Sequence, residues 1–159
     1  MTIANPVVPF TLAAGEGERL SWLGDPTVLK AISEHTQGRY AVAEIVSSPV
    51  SVVPMHVHHR EDEAFYVLEG SVSFWLGPER IDLGPGGFAF GPRDVPHRYE
   101  VTSELARMLM VFSPGGFEGF IRETSHAVGD ASAVPEPPED LDLGLMLAAA
   151  ERYGAEVLG

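Results

Sequence analysis

The stretch "MHVHHREDEAFYVLEG", Met55 to Gly70, decides how this chain is read. His56 and His58 stand two positions apart with Val57 between them. In an extended strand the side chains at i and i+2 project from one face, so "HVH" brings two imidazoles together and turns Val57 away. Glu63 follows across the polar "HRED", and "AFYVLEG" reads as a returning strand. A hairpin at that point would fold Glu63 back beside the histidines.

A further ligand comes from "GPGGFAFGPRDVPHRYE". A strand around "GFAF" and a turn at "GPRD" deliver His97 to the start of the next strand, and the "VP" before it favours an extended backbone. His56, His58, Glu63 and His97 thus form a candidate metal site of neutral imidazoles and one carboxylate. Such a set suits one divalent transition metal per chain, whether Fe, Ni, Mn, Co, Cu or Zn, and leaves coordination positions open if the metal takes five or six ligands. The chain has no cysteine, which excludes disulfides and thiolate metal sites.

The surroundings are β-prone. From about residue 25 to 113 the chain runs through "TVLKAIS", "RYAVAEIVSS", "VSVVPMHVH", "EAFYVLEG", "SVSFWLG", "GFAFGP", "HRYEVTS" and "ARMLMVF". Turn residues in "TQG", "GPER", "GPGG" and "GPRD" separate them. Many short strands at this spacing argue for an all-β antiparallel sandwich or barrel rather than βαβ units. Residues 1–24 read as an irregular arm, with turn signals at Gly15, Gly17 and the "GDP" of residues 24–26. Residues 114–128 contain a short helix at about 117–123, residues 129–137 form a Pro- and acid-rich linker, and residues 138–159 hold a C-terminal helix and tail, helical from about Pro138 to Tyr153 with Gly154 as its stop.

A chain of 159 residues fits one domain. With 10 Lys plus Arg against 23 Asp plus Glu, the net charge of -13 and the absence of a basic cluster argue against a nucleic-acid partner. No run approaches the ~18 apolar residues of a membrane span, and no basic segment followed by an apolar one opens the chain, so a soluble cytoplasmic protein is expected.

At His56, His58, Glu63 and Gly70 the sequence resembles the first motif of the cupins, and at Gly86, Pro92 and His97 the second. The resemblance covers roughly residues 38–113 and implies an antiparallel cupin β-barrel, or jelly roll, that commonly dimerises. Three positions depart from the pattern: Val50 and Asp94 stand where glycines are expected, and Val101 where an asparagine is expected.

Counting by twos from the ligands, Phe65 shares a face with Glu63 and Tyr99 with His97. With Met108 and Met110, which share a face of their own, they are the candidate substrate-contacting residues, a plain core role being the alternative. His35 and His126 fall outside the site. His59, Glu61 and Asp62 read as turn residues, the alternative being that one of them supports a metal ligand, and Phe117 and Phe120 as packing residues of the short helix, the alternative being that they cap the pocket mouth. "TQGRYAVAEIV", "SPGGFEGF" and "ERYGAEVLG" look most like the small bacterial quercetinase-like proteins. That similarity implies a metal-dependent dioxygenase acting with dioxygen on a flavonol or related enolic or phenolic small molecule, with Glu63 as the catalytic base. The alternatives are a metal-dependent cyclase or isomerase of a polyketide-like or sugar-like compound, and a noncatalytic small-molecule-binding protein.

Overall fold

The computed structural model describes residues 6–127, 134–138 and 141–159. In chain order the strands are β1 (Glu18–Trp22), β2 (Asp25–Ala31), β3 (Ala41–Ser47), β4 (His56–His58), β5 (Asp62–Glu69), β6 (Val72–Leu76), β7 (Glu79–Leu83), β8 (Phe88–Gly91), β9 (His97–Val101), β10 (Ala106–Ser113), β11 (Ser125–Ala127) and β12 (Ala155–Val157). The helices are α1 (Ser33–Thr36), α2 (Glu118–Glu123) and α3 (Leu143–Tyr153). The strands form two antiparallel sheets, one in the order β11-β1-β2-β3-β10-β5-β8 and the other β12-β4-β9-β6-β7. This is a jelly roll, and its core lies between the sheets.

Alternation in the sequence builds that core. On β10, Ala106, Met108, Met110 and Phe112 point inward; on β3, Ala41, Ala43, Ile45 and Ser47; on β5, Glu63, Phe65 and Val67. The second sheet supplies Val72, Phe74, Tyr99 and Val101. Phe65, Phe74 and Tyr99 meet with ring centroids 5.1–6.0 Å apart. Gly70 is required at the end of β5: its φ is +80°, and a Cβ there would lie 2.1 Å from the Leu105 carbonyl oxygen.

The sheets recruit more of the chain than residues 25–113. The "GDP" turn signal is the exit of a tight hairpin, in which Leu23 and Gly24 both take positive φ and join β1 to β2. The arm expected to be irregular through residue 24 therefore ends in a strand. The "GPER" turn is shorter than expected, because Glu79 and Arg80 already belong to β7. β11 and β12 lie after the barrel segment and are three residues each, too short to announce themselves by alternation; they form because β1 and β4 offer edges for pairing. α2 begins at Glu118, as expected to within one residue. α3 begins five residues later than expected, where Asp142 caps it by accepting from Leu145 N at 2.9 Å. It ends at Gly154 with φ 74°, as its glycine implies. Of the expected linker, residues 129–133 lie outside the described residues.

Phe74 is 0% exposed; it packs on Tyr99 of its own sheet and reaches Phe65 of the facing sheet. Phe74→Ala is expected to cost about 3–5 kcal/mol of stability, the range for a deleted core ring. Urea denaturation followed by tryptophan fluorescence measures it; a loss within about 1 kcal/mol would show that the sheets do not depend on this contact.

Candidate metal centre

Strands from both sheets meet at the four expected ligands. His56 pairs with His97 across β4 and β9, and Glu63 approaches from β5 in the facing sheet. The expected hairpin between "HVH" and "AFYVLEG" is instead a corner between sheets. After His58 the backbone bonds go elsewhere: Asp94 N donates to His58 O at 2.8 Å and His59 N to Gly154 O at 2.8 Å. The chain then crosses to β5, so the ligands face one another across the interior rather than lying side by side.

Donor atoms of His56, His58, Glu63 and His97 all lie within 4.8 Å of one another. The Nε2 atoms of His56, His58 and His97 stand 4.0, 3.1 and 2.8 Å from Glu63 Oε2. Each Nδ1 has its own oxygen neighbour. His56 Nδ1–H donates to Pro54 O at 2.9 Å, and His97 Nδ1–H to Val95 O at 3.0 Å. His58 Nδ1 is 3.5 Å from Glu61 Oε2, too far for a good hydrogen bond but close enough to orient the ring. These contacts aim every Nε2 at the shared point, as orienting partners do for metal-binding imidazoles. Glu61 is only 3% exposed. Read from sequence as a turn residue, it is a buried neighbour of a ligand, and its place three residues after His58 is the one signal that pointed to it.

The electrostatics fit a cation. Burial works against the charge on Glu63, yet the contacts from His58 and His97 outweigh it and hold the carboxyl well below the usual range. For His58, burial favours the neutral ring, but Glu61 and Glu63 win and push it up to about 9. His56 is pushed down to about 4, chiefly by burial, with the neighbouring rings adding to it and Glu63 and the Pro54 carbonyl opposing it. His58 Nε2 is buried and not aligned for a hydrogen bond to Glu63 despite their closeness. An unpartnered buried nitrogen beside an ionised carboxylate is a donor set suited to a transition metal.

The ligands open on a cavity lined by Trp22, Ile45, Val53, Phe65, Met110 and Phe117, among others. Tyr99 lines it too, whereas Met108, though fully buried, is not part of the lining. Phe117 stands edge-on to His58 with centroids 4.3 Å apart and stacks on Phe120 at 4.9 Å. Both aromatics line the cavity, so the short helix covers the site as well as packing. Sequence reading also passed over Asp25, taken as part of a turn; it lines the cavity and is 4% exposed. His59 points outward to Asp94 and Glu156. Asp94 has φ 66°, the left-handed conformation that explains a glycine preference at that position and that aspartate tolerates.

Gly91 carries a testable consequence, since a Cβ there would lie 3.2 Å from His97 Nδ1. His58→Ala should abolish stable metal retention. Gly91→Ala should weaken metal affinity by about tenfold by displacing the ring, at the low end of the effect of disturbing a ligand's supports. Metal content after dialysis against graded chelator reads both; full retention by both variants would remove these residues from the site.

The description "Cupin domain" matches residues 45–112. Quercetin 2,3-dioxygenase of Bacillus subtilis (strain 168) is 33% identical over 120 residues, covering 76% of this chain and 36% of the relative. Quercetin 2,3-dioxygenase of Aspergillus japonicus is 30% identical over 101 residues, covering 60% of this chain and 29% of the relative. The chain therefore spans about a third of the length of these relatives. An RmlC-like cupin from Shewanella frigidimarina NCIMB 400 superposes with a TM-score of 0.59 at 18% identity, over 70% of this chain and 96% of the other, a likeness of fold. With topology, ligand set and these matches in agreement, the chain is a cupin that resembles the quercetinase-like proteins.

Proposed function

We propose that this cupin is a mononuclear metal-dependent dioxygenase acting on a flavonol-like or other enolic or phenolic small molecule. The observation that carries the reading is the cluster of His56, His58, Glu63 and His97, three of whose members, His56, His58 and Glu63, stand in the wall of a cavity that is otherwise largely apolar and aromatic. The activity for which the two quercetin dioxygenase relatives are named supports the reaction class. When bound, a divalent transition metal would supply Lewis acidity and an open coordination position for activating substrate and dioxygen.

The chain's own residues do the rest. His56, His58 and His97 are the neutral ligands, oriented from behind by Pro54, Glu61 and Val95. Glu63 is the anionic ligand and the acceptor for the substrate's hydroxyl proton. Phe65, Tyr99 and Met110 contact the flat body of the substrate, and Phe117 covers the ligands on the side of His58. Met108 supports Met110 from the core. A lining of this kind keeps bulk water away from an ionised substrate.

Glu63→Gln is expected to retain part of the metal while turnover falls by about two orders of magnitude or more, the scale of a lost general base. Metal content and oxygen uptake with flavonol, measured on the same samples, check it. Full metal and full activity in both Glu63→Gln and His97→Ala would sink the assignment, and flavonol turnover without oxygen uptake would sink the reaction class.

The proposed assembly is a homodimer. Tyr66, Phe88 and Phe90 are 44%, 61% and 49% exposed on one outer face, two of them on the edge strand β8. The N-terminal arm also exposes Val8 and Phe10. A second copy would cover both the edge and this apolar face. Light scattering should give twice the chain mass at micromolar concentration and the chain mass for the double variant Phe88→Asp, Phe90→Asp; a monomeric wild type refutes the dimer.

A further inference from the structure

One charged side chain facing the cavity takes no part in the metal cluster. Asp25, on β2, lines the same cavity as His56 and Glu63. Its Oδ2 accepts from Ser47 Oγ at 2.6 Å and its Oδ1 from Ser51 Oγ at 2.6 Å. Ser47 is 0% exposed, and its Oγ stands 3.1 Å from Tyr99 Oη. A serine hydroxyl has a single proton, and the short bond to the carboxylate takes it. Tyr99 Oη–H therefore donates to Ser47 Oγ. All the protons of the row run toward Asp25, which leaves the Tyr99 oxygen as an acceptor. Asp25 also keeps acceptor capacity beyond its serine bonds, since an ionised carboxylate offers about four lone-pair sites.

Such a group is costly to keep. Its neighbours are hydroxyls rather than cations, and burial pushes its carboxyl up to about 6 despite both serine bonds. A carboxyl so placed on a cavity wall is the kind of perturbed group that marks ligand sites. In the seven-stranded sheet, β3 and β10 separate β2 from β5. Asp25 and Glu63 thus mark two polar poles of the cavity wall, on strands three places apart in the sheet. Tyr99 is near enough to both carboxylates for each to raise its pKa, after the larger effect of burial.

We propose that Asp25, Ser47 and Tyr99 form a second polar subsite of the cavity, which accepts a hydrogen bond from a phenolic hydroxyl at the end of the substrate remote from the metal-bound oxygen. The proposal rests on the function proposed above and narrows its substrates to rigid compounds with hydroxyl groups at both ends. Ile45, Phe65 and Met110, in the lining of the same cavity, would enclose the apolar body of such a molecule.

The test is calorimetric binding to protein loaded with zinc, a redox-inert metal, so that turnover does not enter. The probes are flavonol without ring hydroxyls and the same compound with a para-hydroxyl on its pendant ring. The wild type is expected to prefer the hydroxylated probe by about tenfold or more, the scale of a hydrogen bond to a charged acceptor. Asp25→Asn should reduce that preference to about twofold or less with zinc content and affinity for bare flavonol unchanged, and Tyr99→Phe should reduce it likewise with zinc content unchanged. A preference unchanged in both variants overturns the proposal. An equal loss of affinity for both probes also overturns it, since Asp25 would then be a strut between β2 and β3, a role that thermal melting of the variants reports separately. If the wild type takes neither flavonol, the flavonol reading fails on its own; hydroquinone against its monomethyl ether then decides the subsite, and equal binding of that pair overturns it.

Discussion

Burying Glu63 is the constraint around which the rest of this molecule is arranged. A carboxylate 3% exposed in the interior of a small β protein needs compensation, and three imidazoles from two other strands converge on one of its oxygens. The rings differ sharply in character although His56 and His58 are two residues apart on one strand. His58 lies between Glu61 and Glu63 and is pushed up, whereas His56 has one carboxylate, Glu63, and the Pro54 carbonyl against its burial, and is pushed down. The cluster is therefore graded in basicity, and a cation at its centre would replace proton sharing with coordination.

That His56, His58, Glu63 and His97 come together was legible because it rests on local rules. Alternation puts His56 and His58 on one face, Glu63 opens the next strand, and His97 follows a proline that ends in extended backbone. The jelly roll was legible for the same reason, since its inward rows repeat every second residue. What the sequence concealed is what depends on distant partners. The corner after His58 looks like a hairpin until the bonds to Asp94 and Gly154 are known. Asp25 looks like a turn residue because its meaning lies in Ser47 and Ser51, more than twenty positions away. β11 and β12 carry almost no propensity signal and exist because an edge was waiting for them. Glu61 is hidden among exposed, charged neighbours and differs from them only in burial.

The aromatic cover over the site comes from three separate parts of the chain. Trp22 from β1 meets Phe117 and Phe120 edge-on, and its Nε1 donates to Thr124 Oγ1 at 3.0 Å. Phe120 in turn meets Tyr153 of α3, and Tyr153 presses so closely on Gly119 that no side chain fits between them. The cover is thus a packed structure tied to both sheets and both longer helices, and access to the cavity is governed by their fit rather than by one free loop.

β12 gives this arrangement a longer reach. By pairing Ala155 with His58 and Val157 with His56, it makes the segment after α3 a structural neighbour of two members of the cluster although none of its own residues belongs to it. A backbone change near 155 would therefore be felt at His56 and His58 through the shared ladder, and the C-terminal segment is part of the scaffold that holds these two rings in place.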